Sequence, residues 1–147
     1  MKQAANFKHL EALPELYQLA AFAQDYACSD PQSALVKMRC LMEKIVGVIY
    51  AKLQLPVYPN ASIVDKLNAD SFTSVVPSKI IDKLHAIRKS GNRAAHEGKV
   101  SQQEAVWILQ ECYFVSGYFY VAYCGGDAKS LPEFVAPNCT KLAEQTD

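Results

Sequence analysis

Three polar residues have the types and the spacing for chemistry: Arg88, Asn92 and His96. Residues four apart stack on one face of a helix, so a guanidinium, a carboxamide and an imidazole would form a row about 12 Å long. Two readings stand open. In the functional one, Arg88 binds a phosphate while His96 acts on a ribose hydroxyl, the acid–base role an imidazole fills near neutral pH. In the structural one, Arg88 sits at the border of a core arc formed by Ile80, Ile81, Leu84, Ile87 and Ala95. There it would pair across a bundle with an acid such as Glu43, because an unpaired buried charge is very costly.

The same segment is basic. Lys79, Lys83, Arg88, Lys89, Arg93 and Lys99 stand against Asp82 and Glu97, giving this stretch +4 in a chain of zero formal charge. Lys79, Lys83, Lys89 and Arg93 form a candidate patch for a phosphate backbone or an acidic partner, and equally the solvated face of an ordinary helix. Glu97-Gly98-Lys99, with Asp82, resembles the end of a metal-dependent nuclease site. Such sites need carboxylates side by side, whereas these residues fall at a helix end beside a glycine.

Neither a G-x-x-x-x-G-K-[ST] loop nor G-x-G-x-x-G occurs, so no nucleotide-phosphate cradle is visible. His9, His85 and His96 show no metal-ligand spacing, and no metal or cofactor is expected. The five cysteines, at 28, 40, 112, 124 and 139, include no C-x-x-C pair and are read as reduced thiols.

Helices must position these groups. Leu35, Met38, Met42, Ile45 and Ile49 recur at three-and-four spacing over 33–53, behind an Asp30-Pro31 start and before a Pro56 stop. Leu16, Tyr17, Ala20, Ala23 and Tyr26 mark an earlier helix over Pro14–Ala27. Ser62 and Asp65 suggest a capping box before a short helix. A further helix starts near Pro77-Ser78 and runs towards Gly98, provided Gly91 does not break it. Ser101 and Glu104 suggest a second capping box, in front of an aromatic helix that Gly125-Gly126 ends. Thr73–Val76 offers the one short β-branched run. The reading is an all-α bundle of about five helices in a single domain, with a core over about 6–125 and a strap or linker over 126–147.

Half of the 147 residues are hydrophobic, which excludes a disordered chain. Ala105–Cys124 is long enough to cross a bilayer, but Glu111 lies inside it, at a cost of roughly 2.5–3.5 kcal/mol on insertion scales. It is read as the buried centre of the bundle, its aromatics filling the core. Met1–Asn6 carries no apolar signal segment, and a cytoplasmic location is expected, with no membrane partner.

The order Asn6-Phe7-x-x-Leu10, Pro14-Glu15-Leu16, Asp30-Pro31, Ala34-Leu35-x-Lys37-Met38-Arg39 and Glu43 is distinctive. So is the block Leu84-His85-x-Ile87-Arg88-Lys89-x-Gly91-Asn92-x-Ala94-Ala95-His96-Glu97-Gly98. Together they resemble the N-terminal helical domain of type I restriction enzyme R subunits (HsdR) and related helicases, a domain of unknown function grouped with the HEPN-like superfamily. The resemblance implies a non-catalytic accessory or interaction domain of a restriction-modification or helicase system. It would dock partner subunits or nucleic acid through a polar cluster of Arg39, Glu43, Arg88, Asn92, Arg93 and His96. The alternative it implies is a metal-independent endoribonuclease of toxin or defence type, acting as a homodimer with an R-N-x-x-x-H motif. Asn92 and His96 match that motif, while Gly91 stands in the place of its arginine.

Overall fold

A computed structural model describes residues 5–140. Four long helices form the bundle: α1 (Pro14–Tyr26), α2 (Pro31–Leu53), α5 (Ser78–His96) and α6 (Gln102–Tyr123). Two short ones, α3 (Ile63–Asn68) and α4 (Asp70–Thr73), lie in the connection between α2 and α5. The fold is all-α, with no strand among the described residues. The β-branched run at Thr73–Val76 is not a strand; it ends α4 and turns, burying Val76 and leaving Val75 exposed.

The start signals act as their chemistry requires. Asp30 accepts from the Ser33 amide and Pro31 opens α2, where a missing N–H costs nothing. Ser62 and Asp65 form a reciprocal capping box on α3. At α6 only half of the box exists: Ser101 accepts from the Glu104 amide, and the Glu104 carboxylate pairs with Arg93 instead. Gly98 takes a φ of +69°, and its amide bonds the Arg93 carbonyl to close α5.

α2 is the central rod, burying Leu35, Met38, Leu41, Met42, Ile45 and Ile49 against α1, α5 and α6. Its crossing with α5 is built on small residues. A β-carbon at Gly91 would lie 2.5 Å from Arg39 Cβ and 3.1 Å from the Leu35 carbonyl oxygen. The glycine is therefore where the two backbones meet, and α5 runs through it unbroken. Gln32 Nε2 donates to the Ala94 carbonyl at 2.9 Å further along the same crossing. Ala94 is the alanine that packs there; Ala95, expected in the core arc, faces solvent because the buried stripe runs through Ile87, Ser90, Gly91 and Ala94.

α6 departs from the fully buried helix expected of it. Phe119 is the aromatic of α6 that is buried, while Trp107, Phe114 and Val121 are exposed at seven-residue intervals along its outer face. Glu111, on that side, pairs with Lys83 at 2.8 Å. No helix of the described residues is long and apolar enough to cross a membrane.

The chain after α6 folds back across its flank. Asn6 and Val135 exchange two hydrogen bonds, of 2.9 and 2.8 Å, and Tyr113 donates to the Pro132 carbonyl. Cys28 and Cys139 form a disulfide, which corrects the reading of five reduced thiols. No sequence spacing signals that pair, since it joins residues 111 apart that only the fold brings together. Cys40, Cys112 and Cys124 are free.

Candidate functional site

α5 carries most of the chemistry-bearing residues singled out in the sequence, and the structure divides them between two faces and one end. On the inner face, Arg39 of α2 donates from Nη1 to Asn92 Oδ1 at 3.1 Å. Glu43, one turn along α2, stands 3.6 Å from Arg39 Nε, at ion-pair distance. That Nε is enclosed without a hydrogen-bond partner among the described residues, so the carboxylate compensates it by charge alone. Arg39, Glu43 and Asn92 thus form one connected cluster across the α2–α5 crossing.

Arg88 does not join it. The pairing expected with Glu43 is replaced by a contact to His85 on its own helix, whose Nδ1 lies 3.4 Å from Arg88 Nε and 3.2 Å from Nη2. Glu43 is taken by Arg39 instead. His85 is held below the usual imidazole range by burial, then by the positive charges of Arg88 and Lys89. A neutral ring keeps a lone pair on Nδ1 to accept from the guanidinium. His96 ends α5 and is exposed. The three members of the row therefore have three surroundings: a partner on α2, a partner on α5, and solvent.

The outer face forms a cleft of about 600 Å³ between α5 and α6. Arg88, Lys89 and Arg93 line it from α5, and Trp107 lines it from α6 with 52% of its surface exposed. Arg93 is neutralised by Glu104, and Asp82 adds a carboxylate at the edge. Of the patch read from sequence, Lys83 is likewise spent, on Glu111 and over the Phe114 ring at 4.9 Å. Among the described residues, Arg88 and Lys89 are the cleft's cations that no carboxylate pairs, and they line it together with an exposed indole.

Trp107, which the sequence reading places among the aromatics that fill the core, is exposed instead, and no spacing in the sequence marks it as a site residue. The Glu97-Gly98-Lys99 end is a helix terminus and turn. Among the described residues, no three His, Cys, Asp or Glu side chains are grouped to hold a metal ion.

The sequence profile of a family described as a domain of unknown function (DUF4145) matches residues 22–124, from within α1 to just past α6. The chain belongs to the DUF4145 family. The DUF4145 match takes in both the Arg39–Asn92 cluster and the α5–α6 cleft. The chain is also 25% identical over 138 residues to the type I restriction enzyme EcoKI endonuclease subunit of Escherichia coli (strain K12). That similarity covers 93% of this chain and 12% of the relative's length. No solved structure matches the chain.

Proposed function

We propose that this DUF4145 domain is a non-catalytic accessory module of a restriction-type or helicase-type system, and that its α5–α6 cleft docks single-stranded nucleic acid. The observation that carries the reading is the cleft itself: Arg88 and Lys89 beside the exposed indole of Trp107. Cations that track phosphates next to an aromatic face on which a base stacks are the two parts from which sequence-tolerant single-strand binding is built. The similarity to the restriction endonuclease subunit, which spans a small part of that protein, supports a setting in which motor and cleavage functions belong to other domains or subunits. Those subunits are the protein partners in this reading.

The HEPN-like assignment belongs to the same reading and rests on Asn92-x-x-x-His96. The ribonuclease alternative is disfavoured by geometry. Asn92 is engaged by Arg39, Arg88 by His85, and Gly91 packs against α2 where the motif's arginine would stand. A homodimer is not required by the cleft, which one copy completes.

Fluorescence anisotropy of a labelled single-stranded oligonucleotide tests the proposal. Binding should weaken about fivefold or more in Trp107→Ala, since one stacked base is worth about 1–3 kcal/mol, and should weaken in Arg88→Ala with Lys89→Ala, which removes two phosphate-tracking cations. The oligonucleotide should remain intact in EDTA. Cleavage that disappears in His96→Ala would instead establish the ribonuclease.

A further inference from the structure

A second concavity, sharing no residue with the α5–α6 cleft, lies where the segment just before α1, the beginning of α1, the last turns of α2 and the end of α6 converge. It is a groove of about 710 Å³, within the roughly 300–1,000 Å³ of small-molecule sites. Its apolar surface includes Leu13, Leu16, Val48 and Phe119, and its cations are Lys44 and Lys52. We propose that this groove binds a small amphipathic anion, an apolar body of medium acyl-chain size ending in one carboxylate or similar acidic head.

Three observations carry this. Gly47 lies inside the 23-residue α2, where an interior glycine weakens the helix, and it lines the groove. A β-carbon there would meet nothing within 4 Å, so no packing demand explains the glycine, in contrast to Gly91. A bare backbone leaves the apolar body room against α2. Second, charge is placed at the groove and not within its apolar lining. Lys52 uses one donor on the Tyr123 carbonyl, at 2.7 Å, which fixes the ammonium at the end of α6 with two N–H donors left. Lys44 faces Glu15 at 3.4 Å, so Lys52 is the cation left for an anionic head. Third, His9 lines the groove with an enclosed Nδ1 that has no hydrogen-bond partner among the described residues. Its Nε2 is engaged with Ser116 Oγ at 2.8 Å, and burial keeps the ring neutral, so it adds polarity without charge.

The probe is anilinonaphthalene sulfonate, an aromatic body with one anionic head, displaced by decanoate, decanol or decyltrimethylammonium. The full chain should enhance its fluorescence saturably while retaining a cooperative thermal transition. Gly47→Leu should abolish the enhancement with the transition temperature unchanged or higher, and Ala51→Phe, at an exposed lining position, should do the same. Lys52→Gln should weaken probe and decanoate about fivefold, the upper end of what an exposed ion pair contributes. Decanoate should displace the probe better than decanol, and the cationic amphiphile should not compete. Unchanged probe binding in both filling variants would overturn the site. Equal competition by decanoate and decyltrimethylammonium would overturn the anionic class.

Discussion

Arg39 on α2 donates to Asn92 on α5 at 3.1 Å, one residue from the glycine whose missing side chain lets the two helices meet. In the fold this asparagine is a tie. Its carboxamide satisfies a guanidinium whose other side leans on Glu43, and the tie holds the helix that presents the cleft.

The crossing makes a prediction of unusual sign. Alanine normally strengthens a helix relative to glycine. Gly91→Ala should instead destabilise by about 1–3 kcal/mol, because the added methyl must displace Arg39 Cβ or the Leu35 carbonyl. Asn92→Ala should cost about 1–2 kcal/mol, the penalty for stripping a partly buried donor of its acceptor. Urea unfolding checks both, and a stabilised Gly91→Ala would contradict the close approach.

Arg88 gives a contrasting value. Half of a buried ion pair would cost about 3–5 kcal/mol on truncation. Paired only with a neutral imidazole, Arg88→Ala should cost about 0.5–1.5 kcal/mol in the same unfolding experiment.

Much of this architecture was legible in the sequence. The α2 stripe, the Asp30-Pro31 start and the Ser62–Asp65 box state local physics, and local physics decides where helices begin and which face they bury. What was not legible depends on partners far along the chain. Arg88 sits on the border of the core arc, and the wheel gives no reason for it to choose His85 over Glu43. Trp107 reads as core by its type, yet it lies outside because Ala105, Ile108, Leu109 and Cys112 already fill the inward side of α6. The Cys28–Cys139 bond needs the back-folded strap, which no periodicity announces.

That bond should be visible chemically. Protein prepared without reductant should yield three alkylatable thiols in denaturant, those of Cys40, Cys112 and Cys124, against five after reduction. Cys139→Ser should lower stability by about 2–4 kcal/mol, since it releases a long loop in the unfolded chain. Mass spectrometry after alkylation reads the first result and thermal unfolding the second.

His9 predicts an acid-side loss of stability. Burial lowers its folded pKa from 6.5 to about 4. Above pH 6.5 the ring is neutral in both states and contributes no slope. Between 6.5 and about 4 the unfolded chain takes up the proton and the folded one does not, so stability falls as pH drops, and it levels off below. The ring is partly solvated, which limits the loss to about 1–2 kcal/mol. His9→Gln should flatten that part of the pH profile measured by urea unfolding.

Trp107 is the chain's sole tryptophan and stands in the proposed cleft, so its own emission reports the docking step. Titrating a single-stranded oligonucleotide should quench that emission saturably. The affinity should fall steeply with added salt and collapse in the Arg88→Ala, Lys89→Ala double variant. An oligonucleotide that binds by anisotropy while the indole emission stays unchanged, or one that does not bind at low salt, would contradict the account.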